Sequence, residues 1–281
     1  MTEKELKRVD TLAYEARRKV IEMAAHGGCY IGSSLSCIDL IAYIYSNFIN
    51  TNPNNITDEG RDYFLLSKGH AVPALYGIFS ELGFINESRL KNHLSTDDFI
   101  YWHPNTNIPG VEFHSGSLGH ILSVAMGIAY DCKLKNLANK IVVMLGDGEL
   151  DEGSVWEGIL AASSLKLYNL IIVIDRNHFQ ANIETEKLSM LEPLEDKFRA
   201  FLYNVYRTDG HEFSKLHDTF CKVSKAKDRM NIIIADTVRG KGLPSLENQA
   251  NKWFANISPF EEEKLLSELK TVREKINNKS K

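Results

Sequence analysis

Cysteine is scarce in this chain of 281 residues: Cys29, Cys37, Cys132 and Cys221 are all there are. None forms a CxxC pair and their spacings match no zinc module or disulfide framework, so reduced thiols in a cytoplasmic protein are expected. An excess of basic charge is missing too. The 33 Lys and Arg against 37 Asp and Glu leave a formal net charge of -4, which gives no electrostatic reason to expect nucleic acid or an anionic membrane surface as a partner. No apolar run approaches the ~20 residues needed to cross a bilayer. The polar stretch from Met1 to Asp10 lacks the apolar core of a secretory signal. Neither GxGxxG nor GxxxxGK(S/T) occurs, so dinucleotide and P-loop readings have no support. No internal repeat, low-complexity linker or composition break divides the chain, and one domain over residues 1–281 is the economical expectation.

What is present has the composition of an ordinary soluble globular protein, 43% hydrophobic and 25% charged. Leu6, Val9, Ala13, Ala16, Val20 and Met23 recur at helical spacing and Gly27-Gly28 ends the pattern, so an amphipathic helix opens the chain. A second, mostly buried helix is expected over residues 36–48, and a loop over 50–60, where Pro53 and several Asn residues lie. Short apolar runs at 63–66, 141–145, 170–174 and 232–235 are bounded by turn residues or charge. Helical patterns lie between them (118–132, 154–168, 213–225), and a charged helix closes the chain over about 260–277. Fully apolar strands alternating with helices predict a doubly wound, mainly parallel sheet with helices on both faces. Such sheets bind ligands at the carboxyl ends of their strands.

The residues after two of these strands are informative. Gly146-Asp147-Gly148-Glu149-Leu150-Asp151-Glu152-Gly153 follows the run at 141–145, and Asp175-Arg176-Asn177 follows the run at 170–174. A lone Gly-Asp-Gly is usually only a turn. Here, however, two neighbouring parallel strands would bring Asp147 and Asn177 together. Both offer hard oxygen ligands suited to Mg²⁺ or Ca²⁺. Two side chains leave an octahedral ion with open positions for diphosphate oxygens and a backbone carbonyl. Gly146 and Gly148 let the main chain approach closely with its N–H groups directed at the anion.

Residues 146–177 resemble the thiamine diphosphate motif, and the neighbouring segments resemble the transketolase family over about residues 14–253. Ser67-Lys68-Gly69-His70-Ala71 is similar to the family segment whose histidine approaches the diphosphate and substrate. Trp102-His103-Pro104 resembles the segment whose histidine contacts substrate hydroxyls. Gly116-Ser117-Leu118-Gly119 resembles the loop that holds the aminopyrimidine. The resemblance implies Asp147, Asn177 and the carbonyl of Phe179 as metal ligands, and backbone contacts from Gly148 and Glu149 to the diphosphate. It also implies that Glu152 links paired cofactor sites and that His70 and His103 take part in catalysis. A separate C-terminal subunit with the pyrimidine-binding domain would supply the glutamate that activates the cofactor, giving an α₂β₂ enzyme that moves a two-carbon ketol unit between sugars or sugar phosphates.

Two positions depart from the family. Relatives carry a histidine in the first loop, where this chain has Tyr30, and another after a tryptophan, where it has Phe254 beside Trp253. A phenol donates a hydrogen bond but is a poor proton shuttle at neutral pH, and a phenyl ring does neither. Lys241 is kept and either faces a sugar or phosphate group or is a solvated loop lysine. His120 stands where many relatives have glutamine, facing the cofactor loop, while Tyr30 and Phe254 place the novelty on the substrate side. Another thiamine-dependent subunit, similar to deoxyxylulose-phosphate synthase or a 2-oxo acid dehydrogenase, shares the Gly-Asp-Gly…Asn pattern. A non-catalytic cofactor-binding partner is the reading from another class.

Overall fold

The computed structural model describes residues 1–279. One sheet is parallel throughout and runs in the order β1-β2-β3-β7-β6, from β1 (Tyr63–Leu66), β2 (Ile141–Gly146), β3 (Leu170–Arg176), β6 (Asn204–Asp209) and β7 (Asn231–Asp236). Two short strands, β4 (Phe179–Gln180) and β5 (Ile183–Glu184), make a separate antiparallel hairpin just after β3.

Successive side chains of a strand point to opposite faces, and here both faces are covered. Val142, Met144, Val173 and Ile233 enter one core with helices α1 (Glu3–Ala25), α2 (Ile31–Tyr43), α3 (Val72–Leu82), α8 (Phe213–Lys225) and α9 (Pro259–Lys279). Their neighbours Val143, Leu145, Ile172 and Ile234 enter a second core with α4 (Ile121–Leu134), α5 (Gly153–Ser164) and α7 (Leu194–Ala200). Between β5 and α7 lies the single turn of α6 (Thr185–Leu188). This double covering is why β2, β3 and β7 read as unbroken apolar runs.

Helix α1 starts where its capping box sits. Thr2 Oγ1 accepts from Glu5 N, and the Glu5 carboxylate accepts from Thr2 N at 2.7 Å. Its buried stripe, Val9, Ala13, Ala16, Val20 and Met23, packs against α2 and α3, whereas Leu6 at the start of the same pattern is exposed because it lies in the first turn, outside that packing.

The differences from expectation have physical causes. Helix α2 begins at Ile31 and closes with a π-helical stretch over Ile44–Phe48, so it starts five residues earlier than the pattern at 36–48 indicates. Gly32, Ser33 and Ser34 carry no helical signal, but every residue of α2 is buried. Tertiary packing overrides local propensity there. Strand β6 lies outside the expected runs: as an edge strand it is only partly buried and polar (Asn204-Val205-Tyr206-Arg207-Thr208-Asp209). Helices α4 and α5 are displaced or shortened at their ends relative to 118–132 and 154–168, whereas α8 covers 213–225 as expected.

Gly77 on α3 sets the distance between α3 and α1. A Cβ there would lie 3.0 Å from the carbonyl oxygen of Ala16 and 3.1 Å from its Cα, both rigid helix backbone. Gly77→Leu should therefore push the two helices apart and cost about 1–3 kcal/mol in urea unfolding; an unchanged midpoint would show that α3 can shift freely.

Candidate functional site

The loops after β1, β2, β3 and β7 leave the same edge of the sheet and enclose a cavity of about 280 Å³. It is lined by Lys68 and His70 after β1, by Gly146, Asp147, Gly148 and Glu149 after β2, and by Asn177 and Phe179 after β3. Arg239 after β7 and Trp253 complete the wall, with Ser33 from α2 and Leu118 from the loop before α4.

Asp147 is buried and its carboxylate is organised from three directions. Oδ1 accepts from Asn177 N at 3.0 Å, while Oδ2 accepts from His178 N and from Arg176 Nη1, both at 2.7 Å. Burial pushes this carboxyl up, and the Arg176 guanidinium opposes that shift. Asn177 is oriented from behind: its Nδ2 faces Asp175 Oδ2 at 3.3 Å and Ser36 Oγ at 3.4 Å, so its Oδ1 is turned the other way. Among the described residues that oxygen accepts only from Phe179 N, at 3.0 Å. Asp147 Oδ1 and Asn177 Oδ1 each keep a lone pair beyond these bonds. Among the described residues no group of three or more His, Cys, Asp or Glu side chains is placed to hold a metal. An ion here would thus take two side chains from the chain and complete its shell with carbonyl and ligand oxygens.

Glu149 ties the first loops together. Its carboxylate accepts from Ser67 Oγ, from Gly119 N at 2.9 Å and from Gly146 N at 3.4 Å. Burial raises its carboxyl, and these donors work against the rise. Gly119, with φ +82°, has no room for a side chain against Glu152 and Ser154, which brings the loop at 116–119 against the start of α5. Gly116 lies over His103, whose ring would stand 3.2 Å from a Cβ there. Ser117 is exposed and reaches His120 Nδ1 at 3.3 Å, and Glu152 is exposed.

Beside the cavity stands a cluster of rings. Tyr30 lies 5.6 Å from His70, 6.3 Å from His103, 4.8 Å from Trp253 and 5.4 Å from Phe254, centroid to centroid. His70 also meets Trp253 at 5.8 Å. Desolvation, with the Lys68 ammonium nearby, depresses the His70 imidazole to about 3, so it is neutral near pH 7. Burial lowers His103 as well.

The sequence-derived residues thus assemble as two neighbouring groups. His70, Leu118, Asp147, Gly148, Glu149, Asn177 and Phe179 line the cavity, while Tyr30, His103 and Phe254 form the ring cluster at its side. Lys241 does not join them. It lines a second cavity with Arg17, Asp39 and His211, because the chain turns at Gly240 (φ +75°) and carries Lys241 away from Arg239. Sequence reasoning misses Arg239 and assigns no role to Trp253. Arg239 is 1% exposed, has no carboxylate partner among the described residues, and donates from Nη1 to the carbonyls of Ala181 (2.5 Å) and Ala250 (3.3 Å). Its Nε, the Trp253 Nε1 and the Gln180 Oε1 are buried without a partner. Burial lowers the guanidinium to about 10, with Asp147 and Asp175 opposing the shift. Its position just after a parallel strand is the signal that could have found it.

Comparison with known proteins agrees with this geometry. The family model of the transketolase thiamine diphosphate binding domain matches residues 9–271. The chain is 32% identical over 280 residues to one subunit of the apulose-4-phosphate transketolase of Phocaeicola vulgatus, covering 99% of this chain and 96% of that one. It is 31% identical over 252 residues to a 6-deoxy-6-sulfo-D-fructose transketolase subunit of a Clostridium species, covering 86% and 92%. The transketolase of Leishmania mexicana superposes with a TM-score of 0.83 at 21% identity, over 94% of this chain and 41% of that protein. The chain therefore belongs to the transketolase family and carries its thiamine diphosphate binding domain. It spans about two fifths of the length of that solved transketolase.

Two outcomes test the electrostatics. Lys68 and Asp175 form an ion pair buried on both sides; removing one partner strands the other, so Asp175→Asn should cost about 3–5 kcal/mol in urea unfolding. The double variant Lys68→Met with Asp175→Asn should cost less than the sum of the two single changes. His70 has a folded-state value near 3 against an ordinary 6.5. Its contribution is complete above the unfolded value and is lost as pH falls from 6.5 toward 3, because only the unfolded chain takes up the proton. His70→Asn should flatten the fall in stability between pH 6.5 and 4.5; identical slopes would contradict the assignment.

Proposed function

We propose that this chain is the N-terminal, diphosphate-binding subunit of a two-component transketolase. It transfers a two-carbon ketol unit from a ketose or its phosphate to an aldose, and works only with a separate subunit that carries the pyrimidine-binding domain. The observation that carries this reading is the meeting of Asp147, Asn177, Phe179 and His70 in one cavity at the carboxyl edge of a parallel sheet. The match in length to a relative that is itself named as one subunit of a transketolase supports the two-chain arrangement. Further support comes from Ile183 and Leu188, which line the cavity yet are 39% and 59% exposed. Apolar side chains at the mouth of a polar site suit a covering chain. In this reading residues 1–281 act as one unit in an α₂β₂ assembly in the cytoplasm.

The donor set fits the implied group. Asp147 and Asn177 with the Phe179 carbonyl would hold Mg²⁺ or Ca²⁺. The backbone at Gly148 and Glu149, with Arg239, would hold the diphosphate. The unpartnered Arg239 Nε suits an anion that the chain itself does not supply. Gly116, Ser117 and Leu118 would hold the aminopyrimidine, and Glu152 would lie toward a paired site. When bound, thiamine diphosphate supplies carbanion chemistry at its thiazolium carbon, and the protein contributes placement and electrostatics. His70, neutral and beside Lys68, Tyr30 and Trp253, orients a hydroxyl by hydrogen bonding. His103, also beside the Tyr30 ring, serves the same substrate. Tyr30 and Phe254 narrow the substrate path with apolar rings, in keeping with a specialised ketose in place of the common pentose phosphates.

The purified chain alone should bind thiamine diphosphate with Mg²⁺ in calorimetry, and Asp147→Ala or Asn177→Ala should weaken that binding by at least about tenfold. Ketol transfer should appear only when the pyrimidine-domain subunit is added. Turnover by the single chain, or a strong kcat/KM preference of the complex for xylulose 5-phosphate, would count against the reading.

A further inference from the structure

Arg239 reaches the cavity from the loop at residues 237–242, and that loop is held on two sides. On the cavity side Thr237 N donates to Arg176 O at 3.0 Å and Gly240 N donates to Gly32 O at 3.0 Å. On the other side, away from the cavity, Val238 N donates to His211 Nε2 at 2.8 Å. His211 Nδ1 lies 2.8 Å from Asp39 Oδ2, and Arg17 Nη2 donates to that same oxygen at 2.5 Å. Arg17 also donates from Nε to the carbonyl of Lys241 at 3.1 Å. The His211 backbone is fixed in turn, its N–H donating to Asp209 Oδ1 at 2.8 Å.

These contacts fix the state of the ring. A backbone N–H can be accepted only by a bare ring nitrogen, so Nε2 carries no proton and Nδ1 donates to Asp39. Burial works against charge on Asp39, but Arg17 and His211 outweigh it and hold the carboxyl well below the usual range. Asp39 is therefore a permanent acceptor that sets the tautomer, as a carboxylate behind an imidazole does elsewhere. The chain Arg17–Asp39–His211–Val238 ends one residue before Arg239.

The need for such a hold is physical. Arg239 is a buried cation without a carboxylate partner among the described residues, and desolvation favours its escape to water. Its carbonyl contacts, the Phe179 ring 4.9 Å from its guanidinium carbon and the bonds along residues 237–242 are what keep it in place. We propose that His211, set by Asp39 and Arg17, is a positioning residue for Arg239, holding the guanidinium in the cavity ready for the diphosphate of the cofactor. This rests on the reading of the cavity as a thiamine diphosphate site, but the hold on Arg239 can be measured without the cofactor.

The test labels arginines of the full chain with phenylglyoxal and follows each site by peptide mass spectrometry. Gln at position 211 can place its carbonyl oxygen where Nε2 stands and keep the Val238 bond. Asn can reach only as far as Nδ1, keeping Asp39 and losing Val238. His211→Asn should label Arg239 about fivefold faster than the wild type, as loss of one hydrogen bond implies, while His211→Gln stays close to wild type. Arg61, paired to Glu112 at 2.6 Å, serves as the internal reference and should not change. Equal labelling of Arg239 in all three proteins would overturn the proposal, as would a parallel rise at Arg61, which would mean general loosening. Adding thiamine diphosphate and Mg²⁺ to the wild type reads the cofactor assignment separately. Protection of Arg239 supports it; absence of protection counts against it while leaving the variant comparison to judge His211.

Discussion

The carboxylate of Asp175, fully buried at the end of β3, is the point through which the site is held together. It accepts from Lys68 Nζ after β1, from Ser36 Oγ on α2, from Asn177 Nδ2 two residues on, and from Thr237 Oγ1 after β7. Burial opposes its charge, but Lys68 and the hydroxyl donors outweigh the penalty and keep the carboxyl low. Four segments far apart in sequence thereby meet at one atom group. Each brings something to the cavity: Lys68 itself, the neighbouring Ser33 of α2, the Asn177 amide and, two residues beyond Thr237, Arg239. A buried pair of this kind is weak evidence for net stability, since an apolar replacement of both partners can be as stable. What the pair provides here is direction. Only the amide nitrogen of Asn177 can face Asp175, so its oxygen is left for the cavity.

Charge inside the cavity follows from that arrangement. Asp147 is tied to Arg176, which in turn reaches Glu186 at 2.5 Å and Glu192 at 3.3 Å. Lys68 is tied to Asp175. Arg239 alone stays without an acidic partner among the described residues that line the cavity. The lining therefore has one cation without an acidic partner, with Asp147 already paired to Arg176 and Glu149 held by neutral donors, together with two hard oxygens with spare lone pairs. Such a lining suits an anion bridged through a divalent ion, because each of the two opposite charges relieves a different unmet demand of the protein. Gly146 and Gly148 keep the backbone on that side free of side chains; a Cβ at Gly148 would strike the Gln180 side chain at 2.5 Å.

How much of this the sequence discloses depends on where each residue's role comes from. The strands β1, β2, β3 and β7 are legible because burial on both faces writes itself as a continuous apolar run. Asp147 and Asn177 are legible because each sits directly after such a run. Strand β6 is not, since an edge strand needs no apolar continuity, and Arg207 within it is spent on Asp236 and Glu192. The start of α2 is hidden because Gly32, Ser33 and Ser34 are helical only through what packs on them. Arg239 is hidden behind Lys241, the more conspicuous residue of the same Arg-Gly-Lys-Gly stretch. Nothing in the sequence states which way the chain turns at Gly240, and its positive φ decides which of the two cations enters the cavity. His211 is equally opaque, because its partners Asp39 and Val238 are 172 and 27 residues away.

The two departures from the family pattern are, in space, one change. Tyr30 and Phe254 are in contact, at 5.4 Å between ring centroids, and Trp102 packs on Phe254 from the other side at 6.1 Å. The backbone is fitted to them: Cys29 N donates to Ala255 O and Ala255 N to Cys29 O, both at 2.9 Å, so the two segments are bridged beside the rings. Gly28, at φ +91°, has no room for a Cβ against Phe254. Two imidazoles at positions 30 and 254 would bring four ring nitrogens that need water or substrate as partners. A phenol and a phenyl bring one hydroxyl. Fewer polar groups mean less water beside His70, and desolvation is the first cause of its depressed titration. In the proposed function the aromatic pair would act through His70 as well as on substrate shape, keeping that imidazole a neutral hydrogen-bonding group. On that reading the aromatic wall would favour a substrate with fewer hydroxyls at that end, since each hydroxyl buried there without a partner costs about 1–3 kcal/mol.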